Sequence, residues 1–163
     1  MKVLLLCGFA FCLLAIDSAA QPHTIFLVRH AERAGTSGAA ASDTRLSAAG
    51  RARAQALANT LKDTTITAIY TTEYRRTQET AAPLANSLGI QPEVVFADDT
   101  STLIAKVTAC RGNVLVVGHS NTLPQIIRAL GILSRITIAE SDYDNLFLIL
   151  PDRTPQLVHL HYR

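Results

Sequence analysis

The sequence has no tryptophan, a single methionine at its start and three cysteines, two of which, Cys7 and Cys12, fall close to that start. Beyond them only Cys110 is left, so no intramolecular disulfide can form there and stability has to come from a core. Cys110 is expected to be a buried, inert residue at a helix end. Lysine is scarce too: of 15 basic residues only Lys2, Lys62 and Lys106 are not arginine. Charged residues make up 17% and the formal net charge is +2, with no basic arm or aromatic-basic stripe suited to nucleic acid. What charge there is therefore sits mostly on planar guanidinium forks, which suit bidentate binding of phosphate-like anions.

Hydrophobic residues make up 48% of the 163 residues, and part of that excess lies at the N-terminus. Met1-Lys2 gives a positive start, Val3 to Ile16 is apolar, and Ser18-Ala19-Ala20 supplies small residues before Gln21. This is the pattern of a secretory signal peptide over 1–20, with a mature chain of 21–163. The apolar run is shorter than the roughly 20 residues of a spanning helix, and Asp17 closes it. Cys7 and Cys12 follow Leu6 and Phe11, not the small residue that precedes a lipidated cysteine. The expectation is export to the periplasm or the extracellular medium, with no membrane attachment after cleavage. The rest is the length of one domain, without repeats or linkers.

Along that domain, Thr24 to Val28 is a short β-branched-rich run, the mark of a strand buried on both faces. A Gly/Ala/Ser/Thr-rich loop leads from His30 to Arg45. Ser47 caps a helix reaching about Leu61, with Ala54, Leu57, Ala58 and Leu61 on one face. Ile66 to Tyr70 is a second strand. A second helix runs from about Glu73 to Leu88, with Pro83 as a kink or a shortened start and Gly89 as its stop. Val94 to Phe96 is a third strand, and Asp98-Asp99-Thr100 caps a helix running to Cys110. Val114 to Val117 is a fourth strand, Pro124 suits the first turn of the helix that Gly131 ends, and Asn145 to Leu150 and Gln156 to Leu160 are two strands joined by a turn. Four strand–helix alternations predict an α/β fold, a three-layer α/β/α sandwich around a mostly parallel sheet. In such sheets ligands bind beyond the carboxyl ends of the strands. His30, Thr71-Thr72, Asp98 and His119 each follow a predicted strand, so four polar positions converge on one edge.

The chemistry on that edge is specific. Val28-Arg29-His30-Ala31-Glu32-Arg33 sets a histidine among arginines: a neutral imidazole is a nucleophile toward phosphorus, and guanidiniums stabilise the charge that spreads over the phosphoryl oxygens. The plain alternative is a surface histidine among arginines. A metal on His30 and Glu32 is disfavoured by the cationic neighbours. Tyr70-Thr71-Thr72-Glu73-Tyr74-Arg75-Arg76-Thr77-Gln78-Glu79-Thr80-Ala81 opens a helix whose first turn suits an anion. Val117-Gly118-His119 brings a second histidine to another strand end.

Three of these segments together resemble the histidine phosphatase, or phosphoglycerate-mutase-like, superfamily. Arg29-His30-Ala31 is similar to its Arg-His-Gly signature, with Ala31 in place of glycine. Thr71-Thr72 to Ala81 resembles the segment in which two hydroxyl residues precede an arginine and a Gln/Glu-Thr-Ala ending. Leu46-Ser47-Ala48-Ala49-Gly50 and Val117-Gly118-His119 are similar to two further stretches of the family. The compact size looks like the short phosphohistidine-phosphatase branch. The resemblance implies that His30 is the catalytic nucleophile and forms a phosphohistidine. It also implies that Arg29, Arg76 and His119 cradle the phosphoryl group, with Thr72 a further candidate, and that water then releases phosphate without a metal or other cofactor. Counting back from Glu79-Thr80-Ala81 selects Arg76 over Arg75. Larger branches carry an acidic residue after the second histidine, where this chain has Ser120. Asp98 or Asp99 is the candidate general acid, and either can equally be a helix cap. The expected substrate is a small phosphorylated compound or a phosphoprotein, attacked at a phosphomonoester, anhydride or phosphohistidine.

Two other readings stand beside this one. A non-catalytic phospho-ligand module could use the same arginines. A serine α/β-hydrolase could use Ser120 in Gly118-His119-Ser120-Asn121-Thr122, with Asp142 or Asp144 and then His159 or His161, but Thr122 replaces the second glycine and the reading leaves His30 and Arg76 idle. Asp142-Tyr143-Asp144-Asn145 reads as turn and cap bonding.

Overall fold

The computed structural model describes residues 23–35 and 43–163; the expected signal peptide and its two cysteines lie outside these described residues. The elements are β1 (Ile25–Arg29), α1 (Ala48–Leu61), β2 (Ile66–Thr71), α2 (Arg75–Leu88), β3 (Glu93–Val94), α3 (Thr100–Ala109), β4 (Asn113–Gly118), α4 (Leu123–Ala129), β5 (Asn145–Leu150) and β6 (Gln156–His161). The strands form one sheet in the order β3-β2-β4-β1-β5-β6. β3, β2, β4 and β1 are mutually parallel, whereas β5 and β6 run antiparallel at one edge.

Strand alternation builds two cores. Ile25 and Leu27 of β1 with Val114 and Val116 of β4 face α3 and α4, packing on Leu103, Val107, Leu123 and Ile127. Phe26 and Val28 with Leu115 and Val117 face α1 and α2, packing on Leu57, Leu61, Leu84 and Ala85. β1 and β4 are thus covered on both sides, the condition their unbroken apolar sequences demand. Burial of each such side chain is worth roughly 1.5–3 kcal/mol. β6, at the uncovered edge, is largely exposed.

Local signals explain most element ends. The Ser47 side chain accepts from the Gly50 N–H and caps α1. Gly50 itself lies hard against the Glu32 backbone, where a Cβ would collide with the carbonyl; its lack of a side chain lets α1 seat on the segment leaving β1. Gly89 ends α2 at φ 66°. Asp99 caps α3 through the Thr102 N–H, and the half-buried Cys110 is its last cap residue. Three details differ from the sequence expectation. Cys110 is half-buried instead of buried. α2 continues through Pro83 instead of starting late. β3 covers only Glu93–Val94, because Val95 turns into the core while Phe96 is exposed.

Candidate active site

β1, β2 and β4 are parallel, so their carboxyl ends lie side by side and deliver His30, Thr72 and His119 to one place. The His30 N–H donates to the Gly118 carbonyl at 2.9 Å, tying the exit of β1 to that of β4. The two imidazoles meet edge to face with centroids 5.3 Å apart. Both rings are buried, His30 being 4% and His119 6% exposed.

The hydrogen bonds define the tautomers. Nδ1–H of His30 donates to the Ala31 carbonyl at 2.8 Å, leaving the Nε2 lone pair as the nucleophilic one. Arg76 can only donate, so its 3.4 Å contact with Nδ1 of His119 makes that nitrogen the acceptor. Nε2–H of His119 then donates to the Thr72 hydroxyl at 3.1 Å. Thr72 passes its own proton toward the Thr77 hydroxyl at 3.0 Å, and Thr77 donates to the Tyr74 carbonyl at 2.7 Å. Thr72 therefore sits behind His119 and holds it, a different position from the phosphate contact expected for it.

Burial lowers the pKa of His30 to about 4; the bond to Ala31 opposes the shift, while Arg76, Arg29 and Arg33 add to it. Burial likewise brings His119 to about 3, helped by Arg76, His30 and Arg29. Both imidazoles are neutral at pH 7, the state a nitrogen nucleophile needs.

Arg29, 2% exposed, is the largest fully buried side chain among the described residues. Arg76 lies over the Tyr74 ring, 4.2 Å from its centroid, and Tyr74 in turn meets His119 edge-on. Thr80 joins α2 to the His30 segment by accepting from the Ala31 N–H at 2.9 Å and donating to the Arg76 carbonyl at 2.7 Å. Arg75 points elsewhere, onto Asp43 at 3.3 Å. Arg76, His119, Tyr74, Asp98 and Gln125 line an open cleft of about 420 Å³.

The remaining candidates separate cleanly. Asp98 faces the cleft. Asp99 is spent on Thr102 and Ser101, and those bonds hold its carboxyl below the usual range; it is a helix cap, not a cleft carboxylate. Glu32 pairs with Arg53 at 2.7 Å and is not free to join His30 on a metal. The Ser120 hydroxyl donates to Glu140 at 2.8 Å. His159 and His161 belong to β6, which β1 and β5 separate from β4, so neither can serve Ser120 as a base; they bond instead to Asn145 and Asp144. Two contributors escaped the sequence reading. Tyr143, taken for a turn residue, places its ring 4.3 Å from the Arg29 guanidinium carbon and 6.2 Å from the His30 ring. Glu140 binds Arg29 at 2.7 Å. Both lie in an irregular segment with no period to betray them.

Residues 25–97, which carry β1 to β3 and hence His30, Thr72 and Arg76, match the family model for the histidine phosphatase superfamily, branch 1. Over these residues the chain is similar to the histidine phosphatase superfamily. Solved structures agree on the fold across nearly the whole described chain. A candidate phosphohistidine phosphatase SixA from Agrobacterium tumefaciens is 22% identical, with a TM-score of 0.64 over 85% of this chain and 98% of that one. The protein histidine phosphatase SixA in complex with tungstate is 16% identical, with a TM-score of 0.67 over 85% and 96%. A mycobacterial glucosyl-3-phosphoglycerate phosphatase, Rv2419c, is 14% identical, with a TM-score of 0.66 over 86% and 98%. No curated protein sequence matches this chain.

Proposed function

We propose that the protein is a metal-independent phosphatase that transfers a phosphoryl group to Nε2 of His30 and then to water. The observation that carries this reading is the neutral His30 imidazole, its Nδ1–H fixed on Ala31, held beside His119 and within the field of Arg29 and Arg76. Attack by the Nε2 lone pair forms an N–P bond as the P–O or P–N bond to the leaving group breaks. Arg29 and Arg76 bind the equatorial oxygens, supplying the charge stabilisation that a metal supplies elsewhere, while His119, its Nε2–H held by Thr72, accepts from Arg76 through Nδ1 and holds that guanidinium in place. The pair of electrons leaves with the departing group, which takes a proton from Asp98 when it is a basic alkoxide. Water then attacks phosphorus, the N–P bond breaks, and His30 is regenerated with release of inorganic phosphate.

The substrate classes that fit are phosphomonoesters, anhydrides and phosphohistidine, small or on a protein. The solved structures that resemble this fold include a protein histidine phosphatase and a glucosyl-3-phosphoglycerate phosphatase, which supports that range. The N-terminal pattern supports export with removal of 1–20.

The test is labelling with a phosphorylated substrate in the presence of EDTA. An acid-labile phosphoenzyme in wild type and none in His30→Ala is the expected result. Binding of phosphate without labelling or turnover would replace the phosphatase with a phospho-ligand module, and loss of activity that a divalent metal restores would overturn the metal-free mechanism.

A further inference from the structure

Arg29 is committed before any substrate arrives. Its NH1 donates to the carbonyls of Ala139 and Glu140, both at 2.9 Å, and its NH2 donates to Oε2 of Glu140 at 2.7 Å. Tyr143 covers one face. Nε of Arg29 is buried and has no hydrogen-bond partner among the described residues. An unmet buried N–H costs about 1–3 kcal/mol, so this donor calls for an acceptor that none of the described residues supplies.

The other oxygen of the same carboxylate, Oε1 of Glu140, accepts from the Ser120 hydroxyl at 2.8 Å. One side chain thus ties the residue before the nucleophile to the residue after the second histidine. Stability does not account for it, because the Glu140 side chain is 77% exposed and ion pairs of that kind contribute about 0–1 kcal/mol. Nor does simple attraction of substrate, since a carboxylate near the site opposes a phosphoryl anion. Its bonds to Ser120 and its proximity to Arg29 keep it ionised, ready to hold both partners.

We propose that Glu140 is a positioning residue that acts through Arg29, clamping the far edge of the guanidinium and linking it to Ser120 so that the Nε edge is presented to the phosphoryl group. The proposal rests on the phosphatase reading and deepens it.

Glu140→Ala and Glu140→Gln remove the same charge, but only glutamine keeps an acceptor for Arg29 and a donor for Ser120. On an aryl phosphate, Glu140→Ala is expected to lose about 10- to 100-fold in kcat/KM, chiefly in kcat, as expected for a misaligned transition-state donor. Glu140→Gln should stay within about fivefold of wild type, and both should melt close to wild type. In an Arg29→Met background, which keeps the buried volume, the difference between the two should vanish, since non-additivity marks residues acting as one unit. Alanine and glutamine variants that behave alike, or a difference that persists without Arg29, overturn the proposal. Calorimetry with inorganic phosphate separates this from failure of the phosphatase reading: a wild type that binds phosphate without turnover sinks that reading, while the order of phosphate affinity, glutamine above alanine, still decides the part played by Glu140.

Discussion

The His30 and His119 rings lie edge to face, 5.3 Å apart between centroids, and burial keeps both neutral far below the usual imidazole range. Their pKa values of about 4 and about 3 lie under the ordinary 6.5. Above pH 6.5 neither the folded nor the unfolded imidazoles are charged, so their contribution to stability is fully present. As pH falls toward 4 the unfolded chain takes up protons that the folded chain refuses, and stability is lost. Urea unfolding at pH 7.5 and pH 5 should therefore show a drop that is smaller in His119→Asn. Imidazole resonances of His30 and His119 that titrate near 6.5 would contradict this.

Arg76 and Arg75 are neighbours in sequence with opposite environments. Arg76 lies against His119 and Tyr74, while Arg75 is exposed and paired with Asp43. Arg76→Ala is expected to lose roughly two to four orders of magnitude in kcat/KM, and Arg75→Ala only a fewfold factor. Steady-state kinetics on one aryl phosphate decides, and the reverse ranking would place the anion on the other arginine.

Asp98 faces the cleft and Asp99 caps α3. Asp98→Asn should fail on an alkyl phosphate, by about a hundredfold or more, while largely keeping an aryl phosphate whose leaving group needs no proton. Asp99→Ala should leave that ratio as it is and instead lower the melting temperature, since it removes the cap of α3. Two substrates and one melting curve per variant check both statements. An unchanged ratio in Asp98→Asn would show that Asp98 is not the acid.

Gly50 tolerates no side chain because the Glu32 backbone occupies the space. Gly50→Ala should destabilise the fold by roughly 1–3 kcal/mol, since backbone cannot yield as a side chain can, despite alanine being the better helix former. Denaturant unfolding measures it. A gain in stability would mean that α1 is free to slide.

Periodicity and punctuation were enough for the sequence to determine the framework. Unbroken apolar runs at β1 and β4 demand cover on both faces, and Ser47, Gly89 and Asp99 end or start helices by bonds to their own neighbours. The parallel core follows from strand–helix alternation, and with it the meeting of His30, Thr72 and His119, because parallel strands put their carboxyl ends together. What lies beyond a local bond was decided by tertiary structure alone. Whether a carboxylate caps or faces a cleft separates Asp98 from Asp99, and adjacent residues carry no local sign of that. Thr72 turns to His119 because the β4 exit lies behind it, a neighbour 47 residues away. Glu140 and Tyr143 reach Arg29 from a segment more than 100 positions along the chain. No periodicity marks that stretch, since its backbone carbonyls are shaped around a buried guanidinium instead of a helix or a sheet.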